Sequence, residues 1–503
     1  MSKQDKKELR QQIACEWLEN NYLNYGSLRH DVVTDRLQIR MPNLDSLSAP
    51  HNATSVIGAP AEDASLQNAP EGLQFRGKEI WRNLTDKDIN TMVCNCVAES
   101  QVNINVSEMW TALKSDMVPS VHPIRAWLEG LKPYTPDQPD WIDWLASQVR
   151  VVDTNATDRP EGLLDRDFVA DRPKSLTGEA DPTASLASGL TVQRSNSSQS
   201  ERSNKADALW RGCFKKWFVA MVASWMKDEV VNHTVLVLVG RQGIFKTTWL
   251  ERLIPPELRE YSSKLPLSGQ ITKDDRLRLC ENGLLNIDEL DAICGREMNI
   301  VKSLLTSTDV NERAAYGRLK ERRVRLASFC ASTNNREFLT DITGNRRWLP
   351  FEVESIQNPF HTIIPYEQIY AQAKYLIEQG WYMYWFDLEE IEELEKHNEE
   401  FRAMENEEQL IPILFDIPAE GKGEFMTTAE ISDKLVSYGG IKKPMSIRQL
   451  GMLLAKRGFQ KKQVYLSGSN VRGWIVYKRH TDEIELLKKI DSHSATSQPT
   501  NLY

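Results

Sequence analysis

The stretch TVLVLVGRQGIFKTT, residues 234–248, has the residue types and spacing of a phosphate-binding loop. In such a loop a buried strand leads into a tight turn whose backbone N–H groups face the phosphates, and a helix follows. Lys246 stands six residues after Gly240, where its ammonium would reach the β- and γ-phosphates, and Thr247 is placed to bind Mg²⁺. The alternative is a strand, turn and helix with a merely exposed lysine. The predicted nucleotide-binding residues are Gly240, Arg241, Gln242, Gly243, Ile244, Phe245, Lys246, Thr247 and Thr248.

A second stretch, ENGLLNIDELDAI, supplies carboxylates suited to hydrolysis. The mostly apolar residues 284–287 predict a buried strand, and Asp288 and Glu289 follow it directly. Asp288 would hold Mg²⁺, and Glu289 would orient and deprotonate the attacking water. An apolar run ending in Asp-Glu is common by chance, but its position about forty residues after a phosphate-binding loop is not. We therefore predict a Mg²⁺ site at Thr247 and Asp288, with Glu289 as the general base.

Two further stretches carry polar groups suited to sensing and stabilising phosphate. VRLASFCASTNN, residues 324–335, predicts a buried strand whose tip presents Asn334, which we favour over Asn335 for holding the water or γ-phosphate. The alternative is an asparagine that only serves turn chemistry. DITGNRRWLPFEV then places Arg346 and Arg347 after a Gly-Asn turn, where planar, permanently charged guanidinium groups could stabilise a transition-state phosphate. The alternative for the arginines is structural ion pairing.

Residues 424–480 predict a helix, a turn, a second helix and a hairpin, the order of a winged helix-turn-helix domain. Thr427 or Thr428 would cap the first helix and Ser446 the second. The run 441–479 contains no Asp or Glu, which in an acidic chain is typical of a duplex-binding surface. A winged helix used for protein contacts is the alternative. The predicted DNA-binding residues here are Lys442, Lys443, Arg448, Lys456, Arg457, Lys461, Lys462 and Arg472.

The elements that must position these residues surround a central block of high apolar density, residues 206–355. It follows a mostly helical N-terminal region at 1–152, with a mobile insert near 43–72, and a polar, disordered linker at 153–205. A helical connector at 356–423, the winged helix at 424–480 and a C-terminal tail at 481–503 complete the chain. The acid-rich DLEEIEELEKHNEE of the connector is interpreted as a solvated helix face.

The composition of the 503-residue chain excludes several classes of protein. A formal net charge of -9 argues against a uniformly basic nucleic-acid coat, although it allows a local basic patch. The seven cysteines lack paired CxxC spacing and are interpreted as reduced cytosolic thiols. Neither a signal peptide nor an apolar run of about 20 residues is apparent. We therefore expect a cytoplasmic protein without a membrane partner.

The order, spacing and content of GRQGIFKTT, LLNIDEL and STNNREFLTDITGNRRWLPFEV resemble the VapE-like (virulence-associated protein E) P-loop ATPases of phages, plasmids and integrative elements, relatives of superfamily 3 and D5-like helicases. The resemblance covers about 209–354. It implies an α/β fold with an ASCE/AAA+-like core (additional strand, catalytic glutamate), and it gives Lys246, Thr247, Asp288, Glu289 and Asn334 the roles described above. Arg346 or Arg347 would act as an arginine finger on the nucleotide of a neighbouring subunit.

Phe245 departs from the usual pattern G-x-x-x-x-G-K-[ST], because it stands where the second glycine belongs. The missing glycine removes a position that takes positive φ without steric cost. Gly243 lies two residues earlier and is expected to supply that freedom. Since the lysine, threonine, carboxylates and arginines are all retained, we predict a working but altered loop.

The basic segment NERAAYGRLKERRVRL, residues 311–326, occupies the interval that holds a DNA-tracking hairpin in superfamily 3 helicases. A groove that follows phosphates needs such sequence-independent positive charge. A solvated or subunit-bridging charged face is the alternative. The predicted DNA-binding residues here are Arg318, Lys320, Arg322 and Arg323.

Together these features predict an ATP- and Mg²⁺-dependent DNA helicase or replication-initiation ATPase of a mobile genetic element, with the ring-hexamer assembly that the resemblance implies. No primase motif is apparent, so a primase or initiator would come from a separate partner. A nucleotide-gated switch that assembles on DNA without unwinding it is an alternative from another class. A phage-interference or defence ATPase is a third.

Overall fold

The structure is a computed structural model of the chain. It describes residues 3–41, 80–152, 197–265, 272–287, 290, 295–312, 321–339, 345–403, 406–419, 423–466, 469–480 and 483. The predicted insert near 43–72, residues 153–196 of the predicted linker and almost all of the predicted tail lie outside these residues. The chain divides into two compact units, Met1–Pro133 with Leu277–Asn282 and Tyr134–Arg276 with Gly283–Tyr503.

The first unit is mainly helical, with a small sheet. Its elements are α1 (Lys3–Leu18, continued by a π-helical turn Glu19–Leu23), β1 (Leu28–Asp31), β2 (Arg36–Met41), β3 (Ile80–Asn83), α2 (Asp86–Ser100), α3 (Val106–Leu113), β4 (Ser120–Val121) and α4 (Pro123–Glu129). The sheet order is β3-β2-β1-β4. Thr85 and Asp88 form a capping box that starts α2. The core includes Trp17, Met92 and Met109.

The second unit contains the elements from α5 onward, except for the last residues of α8, which fall within Leu277–Asn282 of the first unit. Its first part comprises α5 (Trp141–Ala146), β5 (Val149–Val151), α6 (Ser197–Met226), β6 (Val235–Val239), α7 (Lys246–Glu251), a 3₁₀ turn (Pro256–Tyr261), β7 (Ser262–Lys264), α8 (Lys273–Glu281), β8 (Leu284–Ile287), α9 (Gly295–Thr306), β9 (Asp309–Glu312), β10 (Glu321–Val324), β11 (Ser328–Thr333), a 3₁₀ turn (Asn345–Arg347) and β12 (Trp348–Ile356). Two predicted boundaries differ. Helix α6 begins inside the predicted linker, and residues 134–152 belong to this unit rather than to the N-terminal region.

A six-stranded sheet of order β5-β12-β6-β11-β8-β7 forms the centre of this unit. All of its strands are parallel except β5, which pairs antiparallel with β12. Strands β6, β8 and β11 are buried at every residue, as expected for parallel strands with both faces covered. Helix α6 contributes large aromatic side chains to the core, and the Trp217 indole N–H donates to the Phe329 carbonyl of β11 at 3.1 Å.

The register brings the carboxyl ends of β6 and β11 level, while β12 continues beyond them to Ile356. Val239, the last residue of β6, lies opposite Thr333 of β11 and Glu352 of β12. The segments that follow β6 and β11 therefore begin at one edge of the sheet, and ligands of open parallel sheets bind outside this edge.

The rest of the second unit is a connector followed by a small mixed fold. Its elements are α10 (Tyr366–Gln379), α11 (Leu388–Asn398), a 3₁₀ turn (Glu399–Phe401), α12 (Asn406–Leu414), β13 (Phe415–Asp416), β14 (Glu424–Met426), α13 (Thr428–Gly439), α14 (Ile447–Lys456), β15 (Gln460–Leu466) and β16 (Ser469–Lys478). Thr427 and Ser446 cap α13 and α14, and β15 pairs antiparallel with β16. The predicted helix, turn, helix and hairpin are thus present. Within the described part of the chain, no helix is both long and apolar enough to cross a membrane.

Candidate functional site

Gly240 allows the chain to leave β6 between its two neighbouring strands. Its φ is 153°, and its N–H donates to the Thr333 carbonyl at 3.1 Å. A Cβ at this position would lie 2.8 Å from the carbonyl oxygen of Val353 on β12. Only glycine fits this close approach without moving the backbone of β12.

Phe245 takes the backbone conformation that glycine usually supplies at its position. Its φ and ψ are 65° and 18°, in the left-handed region, immediately before α7 begins. Gly243 also has a positive φ, 88°, with open space where a Cβ would stand. The expectation that Gly243 would replace the missing glycine therefore describes only part of the loop, because Phe245 itself keeps the glycine conformation at a steric cost of about 1–2 kcal/mol. The Phe245 ring packs edge-on against Phe360, with centroids 6.1 Å apart.

Lys246 connects the loop to the tip of β11. Its side chain is buried, and Nζ donates to the carbonyl oxygens of Gly240 at 2.6 Å and Arg241 at 2.7 Å. A third hydrogen bond, of 3.1 Å, runs from Nζ to Oδ1 of Asn334. Residues 88 positions apart in the sequence thus share one polar cluster at the carboxyl edge of the sheet.

The neighbouring hydroxyls and amides distinguish Asn334 from Asn335. Thr247 Oγ1 lies 3.0 Å from Oγ of Ser332 on β11. Asn335 closes its own turn, because its side chain accepts from the Glu337 N–H at 3.0 Å and donates to the Glu337 carbonyl at 3.1 Å. The turn chemistry considered as an alternative thus belongs to Asn335, whereas Asn334 faces Lys246.

The predicted carboxylates, Asp288 and Glu289, lie outside the described residues. They directly follow β8, which pairs with β11 in parallel, Cys330 lying opposite Asn286. Strand β11 therefore separates β6, which precedes the predicted phosphate-binding loop, from β8, which precedes the predicted carboxylates.

Arg346 and Arg347 occupy the 3₁₀ turn that leads into β12. Arg346 is exposed and Arg347 half-buried, and neither guanidinium forms an ion pair with the described residues. Burial, together with the nearby charge of Arg347, lowers the pKa of Lys302 on α9. A second cation thus lies beside the arginine pair, and the ion pairing considered as an alternative is not observed within the described chain.

Asn398, at the end of α11, holds the arginine turn on both sides. Its buried amide donates to the carbonyl oxygens of Asn345 at 2.8 Å and Trp348 at 3.0 Å, which flank the two arginines. The preceding residue, His397, contacts the Pro350 carbonyl at 2.7 Å, and burial lowers the pKa of its imidazole. This role was not predicted, because the charge pattern of the connector helix indicates a solvated face. A histidine and an asparagine that interrupt a run of glutamates were the available signal.

The basic segment around residue 317 lies in a hairpin, and the structure describes the two strands of this hairpin, β9 and β10. Strands β9 and β10 pair antiparallel with Arg322 opposite Asn311, while 313–320, which include Arg318 and Lys320, lie outside the described residues. Arg322 is exposed and pairs with Asp309 at 2.7 Å, and Arg323 is half-buried.

Arg325 is structural. It is 1% exposed and donates to carbonyl oxygens of Leu304, Leu305 and Asn232, which places its charge at the carboxyl end of α9.

Comparison with known proteins places this site in a family. Residues 196–403 match the Virulence-associated protein E-like domain. The centre of the chain is a VapE-like domain. The match extends the predicted resemblance beyond 354, so that α10 and α11, with Asn398, belong to the domain.

Solved structures similar to the chain include three apo structures of the NrS-1 C-terminal region. Their identities are 11%, 11% and 10%, and their TM-scores 0.38, 0.38 and 0.39. The matched regions cover 90%, 90% and 92% of this chain and 97%, 98% and 99% of the three NrS-1 chains. At such TM-scores the likeness says nothing further about this chain. No curated protein matches it.

The end of the VapE-like domain is joined to the C-terminal fold by ion pairs. Arg402 and Glu408 form a buried bidentate pair. Lys456, at the end of α14, binds Glu399 at 2.6 Å, and Arg457 donates to the Glu408 carbonyl at 3.0 Å. Two of the eight predicted DNA-binding cations therefore hold the C-terminal fold against the connector. The other six are exposed: Lys442, Lys443, Arg448, Lys461, Lys462 and Arg472.

Proposed function

We propose that the VapE-like domain is an ASCE-type P-loop ATPase, and that the chain acts as a DNA helicase or replication-initiation ATPase of a mobile genetic element. The contact of Lys246 with both the loop carbonyls and Asn334 is the observation that carries this proposal. It joins the predicted phosphate ligand and the predicted sensor at the carboxyl edge of the sheet. The position of β11 between β6 and β8 puts an additional strand between the loop strand and the strand before the carboxylates, which supports an ASCE-type core.

The donor set at this edge suits a magnesium nucleotide. The buried Lys246 ammonium donates to two loop carbonyls and to Oδ1 of Asn334, at the position where such a lysine binds nucleotide phosphates. The Thr247 hydroxyl and the Asp288 carboxylate are oxygen ligands of the kind that Mg²⁺ prefers. Bound Mg²⁺ would neutralise charge that develops on the phosphates. Glu289 would take the proton of the attacking water.

The arginine pair is suited to act on a nucleotide bound by another subunit. Arg346 is exposed and the turn that carries it is fixed by Asn398, so its guanidinium is presented outward from an ordered support. A fixed, permanently charged group stabilises phosphate charge without reorganisation during the reaction. We infer a ring assembly, a hexamer by family resemblance, in which each site is completed by its neighbour.

DNA is the proposed macromolecular partner. The six exposed cations of the C-terminal fold occupy a segment without Asp or Glu, and a hairpin with arginines on its second arm follows α9. Such charge recognises phosphate backbones irrespective of sequence. The helix, turn, helix and hairpin suggest a winged helix, and a primase or initiator would be a separate protein.

Strand displacement tests the proposal. We expect the full chain, with ATP and Mg²⁺, to release a labelled strand from forked DNA, and the Lys246→Ala variant to release none. ATP hydrolysis and ATP-dependent DNA binding without displacement would instead indicate a nucleotide-gated assembly switch. Displacement by both proteins alike would contradict the assigned nucleotide site.

A further inference from the structure

The loop at 357–365 adjoins the phosphate-binding loop without sharing any of its predicted roles. It connects β12 to α10. Strand β12 is the neighbour of β6, and both run towards the edge where the phosphate-binding loop lies. The Phe245–Phe360 contact shows that the 357–365 loop reaches that loop. When phosphates bind at this edge of the sheet, the ribose and base of the nucleotide would lie beside them, next to the 357–365 loop.

The backbone on both sides of Phe360 is held in place. Arg252, just after α7, donates to the carbonyl oxygens of Pro359 and, at 3.0 Å, Thr362. The Tyr366 hydroxyl donates to the Arg252 carbonyl at 2.7 Å, and the Phe360 N–H donates to Oδ1 of Asn358 at 3.0 Å. The loop is therefore an ordered support tied to the end of the helix that Lys246 begins.

This ordered loop presents a large apolar ring to solvent. Phe360 is 71% exposed. Its described ring contact is with Phe245, at an interplanar angle of 80°, and a contact of this geometry leaves at least one face of the Phe360 ring open. Exposed aromatic faces beside a phosphate site are suited to nucleobases, because every base offers a π-face for stacking.

We propose that Phe360 is the nucleobase platform of the ATP site, a role that rests on the proposed nucleotide binding. The base of the bound nucleotide stacks on the open face of Phe360 while the phosphates meet Lys246. Phe245 backs the platform, which gives a physical reason for a phenylalanine in a left-handed conformation that glycine would adopt without strain. Stacking alone discriminates weakly among bases, so ATP and GTP should bind with similar affinity.

Titration of the full chain with two probes, Mg·ATP and Mg·tripolyphosphate, tests the platform. Tripolyphosphate carries the phosphates without a base. Phe360→Ala should weaken ATP binding by about tenfold or more, because the stacking of the base on the ring contributes to the affinity for ATP. Tripolyphosphate has no base, so its binding should be unchanged. Phe360→Trp should retain the preference for ATP. Trp381→Ala, which removes an aromatic side chain of similar exposure (64%) elsewhere, is the matched control and should change neither affinity.

The outcomes separate this inference from the proposed function. Wild-type protein that binds neither probe contradicts nucleotide binding itself. Wild-type binding of both probes, with Phe360→Ala weakening them equally or weakening neither, would overturn the platform while leaving the phosphate site. A change in particle mass with unaltered nucleotide affinity would overturn it too, and would make Phe360 a contact between copies of the chain.

Discussion

At the scale of single residues, Phe245 shows what the sequence can and cannot specify. The spacing of Gly240, Lys246 and Thr247 predicts a phosphate-binding loop, and in the structure Lys246 Nζ donates to Oδ1 of Asn334. The positive φ of Phe245 was not predictable, because a phenylalanine carries no local preference for that region. It depends on the chain path between β6 and α7 and on the ring contact with Phe360.

The first prediction concerns Phe245→Gly. The glycine relieves the left-handed strain but loses the ring contact and increases the entropy of the unfolded chain, so stability should change by no more than about 1 kcal/mol. Tripolyphosphate affinity should be retained. Gly243→Ala is the matched control and should destabilise the protein by about 1 kcal/mol or more, because it places a Cβ at φ 88°. Thermal unfolding and calorimetric titration measure both effects. Loss of tripolyphosphate binding in Phe245→Gly would mean that the ring is part of the phosphate site.

At the scale of elements, the connector helix α11 differs most from its sequence interpretation. Its glutamates at 392, 393 and 395 are exposed, as expected of a solvated face. Its last residues instead bind backbone carbonyls of the arginine turn and of β12. These contacts join residues about fifty positions apart. Their acceptors are backbone carbonyl groups, which every residue type has, so the charge pattern could not predict them. The buried parallel strands were predictable, because a continuous apolar run is their signature.

The second prediction is that Asn398→Ala separates nucleotide binding from turnover. Removing the amide leaves two buried carbonyls without their donor, at a cost of about 1–3 kcal/mol, and frees the turn that carries Arg346 and Arg347. ATP affinity should stay within about twofold, while kcat falls about tenfold or more if the arginines act in the transition state. Glu395→Ala, an exposed position of the same helix, is the control and should alter neither value. An Asn398→Ala variant with normal kcat would make the contact purely structural.

At the scale of the whole molecule, the charges of the C-terminal fold divide into two groups. Lys456 and Arg457 join it to the connector, and the other predicted cations face solvent. The acid-free run 441–479 shows the excess of positive charge, but the division depends on Glu399 and Glu408, which lie about fifty residues earlier. The salt dependence of DNA binding distinguishes the groups, because each lost phosphate contact removes a fixed amount of counterion release.

The third prediction follows from this division. In the full chain, Arg448→Gln and Lys462→Gln should each flatten the slope of log affinity against log salt by about one unit per lost phosphate contact. Lys456→Gln should leave the slope unchanged and lower stability by about 1 kcal/mol or less, because it removes a largely exposed ion pair. A slope that changes only with Lys456→Gln would reverse the assignment of the two groups.

The fourth prediction concerns assembly. If the arginine pair acts between subunits, Arg346→Ala or Arg347→Ala should bind ATP normally but hydrolyse it at least about 10³-fold more slowly. Mixing inactive Lys246→Ala protein with an inactive arginine variant should restore part of the activity, because some interfaces then combine an intact loop with an intact arginine. No recovery at any ratio, in particles shown to contain both variants, would place the arginines in the same subunit as their nucleotide.

Phosphate release by the purified full chain, measured with and without DNA, tests the central claim most directly. We expect the wild-type protein to hydrolyse ATP, and Lys246→Ala to lose both nucleotide binding and turnover. Glu289→Gln should still bind ATP while its turnover falls by about 10² or more, the effect of removing a general base. Wild-type protein that releases no phosphate under either condition, or Lys246→Ala and Glu289→Gln variants that turn over ATP at the wild-type rate, would contradict the assignment of this VapE-like domain as an ATPase.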